Sequence, residues 1–302
     1  MKKIEQLADL LNKQEISVLY NEPLSSHSTF RIGGAAKLAA FPNTVEKLIF
    51  TIKAARQSGV KYMVIGNGSN MLFADSGYDG IVIFTAKCNS VNQNENIISA
   101  ECGASFTKLA ITARDVGLSG LEFAYGIPGT VGGAVYMNAG AYGGEVSQIL
   151  TECCAFDNIT GDIVKYDNKS CGFGYRTSIF SRSEMLTVLS ASFELISADK
   201  TEISVKMDDF ISRRREKQPL DFPSAGSVFK RPEGFFAGKL IEDSCLKGYS
   251  IGGAQVSEKH AGFIINRGNA TAEDVLRLIA YIRETVFRNF NVELECEIKY
   301  ID

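Results

Sequence analysis

At 302 residues the chain exceeds the size at which one hydrophobic core usually suffices, so two or three domains are expected. Its 45% hydrophobic and 22% charged residues are ordinary for a globular protein. A formal net charge of -3, from 32 basic and 35 acidic residues, gives no basic field and argues against nucleic acid or an anionic membrane as partner. The start, Met-Lys-Lys-Ile-Glu-Gln, lacks a signal-peptide core, and no apolar run approaches the roughly 20 residues that span a bilayer, so a cytoplasmic protein is expected. The seven cysteines are odd in number and lack Cys-x-x-Cys spacing, which suits reduced thiols. With only His27 and His260 present, no metal site is expected.

Taken in order, residues 1 to about 20 read as a short amphipathic helix with Ile4, Leu7, Leu10 and Leu11 on one side. A loop then runs to His27-Ser28-Thr29-Phe30-Arg31-Ile32-Gly33-Gly34, read as a ligand-contacting strand and turn in which His27 is structural, since no carboxylate stands beside it in sequence. Asn43 or Thr44 caps a helix with Leu48, Ile49, Ile52 and Ala55 as its stripe, ending before Gly59. The strand Tyr62 to Ile65 leads into Gly66-Asn67-Gly68-Ser69-Asn70-Met71, whose small residues leave backbone N–H groups for an anion such as pyrophosphate. A Rossmann turn is excluded, because the sixth position is Met71 and no helix opens there. A plain hairpin turn reads the same loop equally well. Strands at Ile81 to Phe84 and Ile97 to Glu101 and a helix at Ser105 to Val116 follow.

Seven of the nineteen residues from Gly126 to Gly144 are glycine, and none is charged. Interleaved Ile127, Val131, Val135, Tyr136 and Met137 rule out a flexible linker, leaving an ordered floor for a large flat ligand or a tight chain crossing. Strands at Leu150 to Asp157, Ile163 to Tyr166 and Leu186 to Leu195 complete an α+β region. Between them, Arg176 stands among aromatic and small residues, either as an anion fork or as a cation stacked for packing. Beyond a boundary near Asp199, a capped helix runs to Arg213-Arg214-Arg215-Glu216-Lys217. Thr271 caps another, with Val275, Leu276, Ile279, Ile282 and Val286 along its stripe. The last strand alternates Val292, Leu294, Cys296, Ile298 and Tyr300 with Glu293, Glu295 and Glu297. Three carboxylates on one strand face are usually solvated; one in a closed cleft would be suited to catalysis.

Six pieces in order, Thr29 to Gly34, Gly66 to Asn70, Gly126 to Gly133, Tyr175-Arg176, Ser224-Ala225-Gly226-Ser227-Val228-Phe229-Lys230 and Gly252-Gly253-Ala254-Gln255-Val256, resemble the UDP-N-acetylenolpyruvoylglucosamine reductase family. By length the chain is similar to its shorter branch. The resemblance implies an α+β chain: a vanillyl-alcohol-oxidase-like, PCMH-type FAD-binding region of two subdomains in residues 1–197, split near 85 and preceded by the helix in 1–20, then a C-terminal α+β substrate domain in 198–302. It implies reduction of the enolpyruvyl ether of UDP-N-acetylglucosamine to the lactyl ether of UDP-N-acetylmuramic acid in cell-wall precursor synthesis, with FAD as cofactor and NADPH as co-substrate. A monomer is expected, with the UDP-sugar as its ligand.

Residue by residue, the resemblance implies catalytic roles for Arg176, Ser227 and Glu297. Arg176 and Glu297 would meet the substrate carboxylate as enolate character develops, and Ser227 would give the proton. It implies cofactor contacts from Thr29, Ile32, Gly66, Asn67, Gly68, Ser69, Asn70, Met71, Gly126, Pro128, Gly129, Thr130, Gly132, Gly133, Asn138 and Ala139. In that reading Gly132 is small so that the flavin can lie on it. Substrate contacts are implied for Tyr175, Arg176, Lys217, Arg231 and His260; Arg231 stands where the family often has asparagine, and His260 reads equally well as structural. Arg213 and Arg214 are left as solvated charge. Another flavin oxidoreductase of this fold, acting on a small alcohol or lactone, accounts for the glycine stretches but not for Arg176, Ser227 and Glu297 together. A non-catalytic nucleotide-binding module is the third reading.

Overall fold

The computed structural model describes residues 2–183 and 185–302. Packing divides the chain into two compact units, one made of the chain up to Tyr20 with Leu38–Asn67 and Gly80–Arg213, the other of Asn21–Lys37, Gly68–Asp79 and Arg214–Asp302.

In the first unit the helix Lys2–Lys13 buries Leu7, Ala8 and Leu11. Leu10, expected on that stripe, lies 39% exposed. The helix is also shorter than expected, since Ser17–Pro23 is already a strand. The helix Val45–Gln57 is capped by the Thr44 hydroxyl, which accepts from Lys47 N, and buries Leu48, Ile52 and Ala55. Tyr62–Ile65 pairs in parallel with 81–84, Tyr62 opposite Ile81 and Ile65 opposite Phe84, in a sheet ordered Ser17–Pro23, Ala35–Phe41, Tyr78–Phe84, Tyr62–Ile65. A second, wholly antiparallel sheet is ordered Ile163–Asp167, Leu150–Asp157, Leu186–Glu194, Ile97–Glu101, Val91–Asn94. Its alternation buries Leu150, Cys153, Ala155, Val188, Ala191 and Phe193 in one core with the helix Phe106–Asp115.

The second unit has an antiparallel sheet ordered Ser224–Ser227, Phe263–Asn266, Ala254–Val256, Ser250–Ile251. The helix Ala272–Phe290 packs in the same core through Val275, Leu278, Ile279, Ile282 and Val286, with Leu278 more deeply buried than the expected Leu276. Its N-terminus carries a capping box between Thr271 and Asp274, and Asp75 accepts from Ala272 N (2.8 Å) and Glu273 N (3.1 Å). The expected last strand over 292–300 is broken. Cys296 makes one antiparallel bridge with Phe229, and only Lys299–Ile301 forms a strand, parallel to Met71–Phe73. The alternation persists in the burial of Leu294 and Ile298, while Tyr300 is 43% exposed.

The helix Lys200–Lys217 corrects a further expectation. Arg213 is exposed and ion-paired with Asp209 at 2.7 Å, but Arg214 is only 8% exposed and donates from Nη1 to Gln218 Oε1. Arg214 continues, at helical spacing, the stripe of Ile203, Met207 and Phe210, which places it inward.

Candidate active site

Within the first unit two of the glycine-rich loops touch. The Asn67 side-chain amide donates to Pro128 O at 2.9 Å. A Cβ on Gly66 would lie 2.3 Å from Thr130 Oγ1, so only glycine permits this approach. Thr130 in turn caps the helix Val131–Tyr136 by accepting from Gly133 N, and Val131, Ala134 and Val135 are buried at the spacing of one helix face. The uncharged stretch is therefore partly helical, an element its glycines concealed.

Gly132 sits differently from expectation. Its N–H donates to Cys102 O at 2.8 Å, and an added Cβ would meet Cys102 Cβ at 2.9 Å. The glycine is required for protein packing there, against a thiol whose pKa burial drives upward. Gly133, by contrast, is exposed, and its Cβ direction meets only Thr130 Oγ1, at 3.6 Å.

Arg176 is brought to the same stretch by a network that no local pattern in the sequence announces. Gly174 and Thr177 close a tight turn by reciprocal backbone hydrogen bonds, with Arg176 at φ 54°, a conformation non-glycine residues adopt at some cost. Three bonds tie this turn to the glycine stretch: Ser178 Oγ to Tyr136 O (2.7 Å), Asn138 Nδ2 to Gly174 O (3.1 Å) and Arg176 Nη1 to Gly140 O (3.2 Å). Asn138 is only 2% exposed, and its Oδ1 accepts from Ser147 N, so this side chain is committed to holding loops together. The Arg176 guanidinium lies 5.6 Å from the ring of Tyr175, which is 55% exposed. Gly126 donates to Thr107 Oγ1, and Ala139 N donates to Ala134 O.

In the second unit the remaining residues converge on one ribbon. Thr29 Oγ1 donates to Ser224 O at 2.7 Å, and Asn266 Nδ2 donates to Phe30 O. Ile32 is 2% exposed and belongs to the core, while Met71 lies opposite Lys299 in the parallel pair. Gly68, at φ 58°, packs so that a Cβ would lie 2.4 Å from His27 O; Ser69 is half-buried. His27 does have a carboxylate partner, Glu22 Oε1 at 2.7 Å, which the 3-10 turn Leu24–His27 carries round to it.

Ser227 ends the strand Ser224–Ser227 just beyond a β-bulge. Ser224 faces Ile265 and Ser227 faces Phe263, so the bulged strand has one extra residue, and Gly226 takes φ 79°. The next residue, Val228, accepts from Glu297 N at 2.7 Å, which places Ser227 and Glu297 on neighbouring backbone. Glu297 is half-buried, Glu293 and Glu295 are exposed, and Glu295 is ion-paired with Lys230. The sequence pattern treated the three carboxylates alike, and the structure separates them. Glu297→Gln is expected to slow reoxidation of the flavin by the enolpyruvyl substrate at least tenfold, with Glu293→Gln and Glu295→Gln within about twofold of wild type. Equal sensitivity of all three would mean that the acidic row acts as a general field.

Lys217 is exposed at the end of its helix, and the exposed Arg231 guanidinium lies 3.9 Å from the ring centroid of Phe236. His260 Nδ1 accepts from Gly262 N at 3.1 Å, and burial lowers its pKa from 6.5. A depressed folded pKa means that the unfolded chain binds more protons. The stabilisation is full above about pH 6.5 and is lost as pH falls through the folded value. His260→Gln should therefore lose less Tm than wild type on going from about pH 7 to pH 5; an equal loss would remove His260 from the acid response.

The residues fit a bound FAD. Among the described residues, the backbone N–H groups of Gly66, Asn67, Gly129 and Thr130 make no hydrogen bond, leaving four donors on two touching uncharged loops, as a pyrophosphate requires. Among these residues no cluster suits a metal ion, and no helix is long and apolar enough to cross a membrane.

Comparison with known proteins agrees with this chemistry. Residues 36–166 match the FAD binding domain family, and residues 218–301 match the UDP-N-acetylenolpyruvoylglucosamine reductase C-terminal domain. The UDP-N-acetylenolpyruvoylglucosamine reductase of Clostridium perfringens is 45% identical over 295 residues, covering 98% of this chain and 96% of the relative. The crystal structure of the Thermus caldophilus enzyme of the same kind superposes with a TM-score of 0.81 at 32% identity, covering 95% of this chain and 99% of that one. Physcomitrella patens BBE-like 1 shares the fold alone, with a TM-score of 0.50 at 17% identity over 63% of this chain and 44% of its own. The PCMH-type FAD-binding fold is thereby shown, and the chain belongs to the UDP-N-acetylenolpyruvoylglucosamine reductase family.

Proposed function

We propose that the chain carries out the NADPH-consuming, FAD-dependent reduction of UDP-N-acetyl-3-O-(1-carboxyvinyl)-glucosamine to UDP-N-acetylmuramic acid in peptidoglycan precursor synthesis. Bound FAD supplies hydride transfer from NADPH to the terminal vinyl carbon. Gly66, Asn67, Gly129 and Thr130 would hold the pyrophosphate through their N–H groups, and the exposed Gly133 would be a further cofactor contact. Arg176 would pair with the substrate carboxylate as negative charge spreads into it, a fork preorganised by the turn that Asn138 and Ser178 pin down. Glu297 would orient the same carboxylate or donate a hydrogen bond to it, and Ser227 would protonate the neighbouring carbon. Tyr175, Lys217, Arg231 and His260 are the candidates for the rest of the UDP-sugar.

The observation that carries this reading is the three-bond attachment of the Arg176 turn to the glycine stretch. A cofactor floor alone has no use for an arginine held in a strained turn. Residues 1–197 are proposed as the cofactor-binding region and 198–302 as the substrate-binding region of a cytoplasmic monomer without nucleic-acid or membrane partners. Under anaerobic conditions, NADPH oxidation by the purified protein should depend on the enolpyruvyl UDP-sugar and yield a product two hydrogens heavier. Oxygen-dependent turnover of a small alcohol, with no response to the UDP-sugar, would favour an oxidase of the same fold.

A further inference from the structure

Asn70 belongs to a loop read as cofactor-contacting, and two of its hydrogen bonds go to the backbone around Glu297. Its side-chain Nδ2 donates to Glu297 O at 3.1 Å, and its own main-chain carbonyl accepts from Lys299 N at 3.0 Å. These two bonds bracket Ile298, which is 7% exposed. On the other side, Glu297 N donates to Val228 O at 2.7 Å. Glu297 thus sits where the chain leaves its antiparallel bridge, Cys296 with Phe229, and enters its parallel pairing, Lys299 with Met71. At that transition the regular ladder stops, and a side-chain amide supplies a bond that a main-chain N–H supplies elsewhere.

We propose that Asn70 is a positioning residue for the reduction: it fixes the peptide plane of Glu297 and so the direction in which that carboxyl points. This rests on the reading that Glu297 acts on the substrate. The role needs a donor of asparagine length. Aspartate, though isosteric, would set an acceptor against the Glu297 carbonyl, and alanine would leave the peptide free to rotate. Rotation of one peptide displaces a side-chain terminus by an ångström or more, enough to cost a catalytic group much of its effect.

The test uses the flavin-loaded enzyme and its Asn70→Ala, Asn70→Asp and Glu297→Gln variants, with the Asn70→Ala/Glu297→Gln double variant. Flavin content, reduction by NADPH, reoxidation by the enolpyruvyl UDP-sugar, and amide exchange at Glu297 and Lys299 are measured on each. With each variant reconstituted with flavin, the expected result is near-normal reduction by NADPH in both Asn70 variants. Reoxidation should be slowed roughly tenfold or more, Asn70→Asp no faster than Asn70→Ala, with faster exchange at Lys299. In the Glu297→Gln background Asn70→Ala should add no further slowing. Equal slowing by Asn70→Ala in both backgrounds, or lost flavin with normal reoxidation after reconstitution, would overturn the positioning role. Normal reoxidation in Glu297→Gln alone would overturn the premise instead, and the two failures are told apart by that single variant.

Discussion

Ser227→Ala is expected to leave reduction of the flavin by NADPH within about twofold of wild type while slowing reoxidation by the enolpyruvyl substrate by about 10²–10⁴-fold, the usual range for a lost general acid. The separation follows from where the residue sits. Ser227 is half-buried at the end of a bulged strand, its backbone position is set by Gly226 and by pairing with Phe263, and its hydroxyl makes no hydrogen bond among the described residues. Deleting the oxygen therefore costs the fold little. Protonation of carbon in the second half-reaction requires that oxygen, whereas hydride delivery to the flavin does not. Ser227→Cys, which keeps an exchangeable proton, should fall between the two. Equal slowing of both half-reactions would point to a distorted site, and unchanged reoxidation would remove Ser227 as the proton donor.

Gly132→Ala should sharply reduce retained FAD and destabilise the apoprotein, by about 1–3 kcal/mol if overpacking behaves as usual. The added methyl group would lie 2.9 Å from Cys102 Cβ, 3.1 Å from Cys102 O and 3.4 Å from Cys102 Cα. The Gly132 N–H bond to Cys102 O prevents the helix Val131–Tyr136 from backing away without loss. Cys102→Gly in the same chain removes the nearest of these atoms and should restore part of both losses. If Gly132 were small only to admit the cofactor, Cys102→Gly would rescue nothing. Gly133→Ala supplies the contrast: its Cβ has space, so apoprotein stability should hold to within the helix preference for alanine while FAD affinity falls. Measuring Tm without FAD and flavin retention after gel filtration separates the two glycines.

These two residues show where the sequence was readable. Composition and adjacency marked the stretch from Gly126 to Gly144 as ordered, a ligand floor or a tight chain crossing, because seven glycines beside buried aliphatics admit few other uses. They did not say which glycine faces the chain, since the neighbour of Gly132, Cys102, is thirty residues away in the turn after the strand Ile97–Glu101. The helices capped by Thr44, Ser105 and Thr271 were legible because capping and periodicity are local. The strands Leu150–Asp157 and Leu186–Glu194 were legible for the same reason. The final segment was not. Its alternation predicts one strand, but pairing with two distant partners breaks it at Glu297 and leaves a strand only at Lys299–Ile301. Arg214 was missed in the same way, since charge type suggested solvent; His27, read as a structural residue, has the hydrogen bond such a role needs, with a Glu22 that linear spacing hid. Arg176 was flagged by composition, yet the bonds that aim it come from Tyr136, Asn138 and Gly140, and only folding brings them together.

One bound flavin is expected to be reduced by NADPH and reoxidised by the enolpyruvyl UDP-sugar. An anaerobic absorbance trace, with the two ligands added separately, tests it most directly. The purified protein should be yellow, bleach on NADPH alone, and regain its full flavin absorbance on one equivalent of the enolpyruvyl UDP-sugar. A protein that bleaches with NADPH and stays bleached when that substrate is added would contradict it.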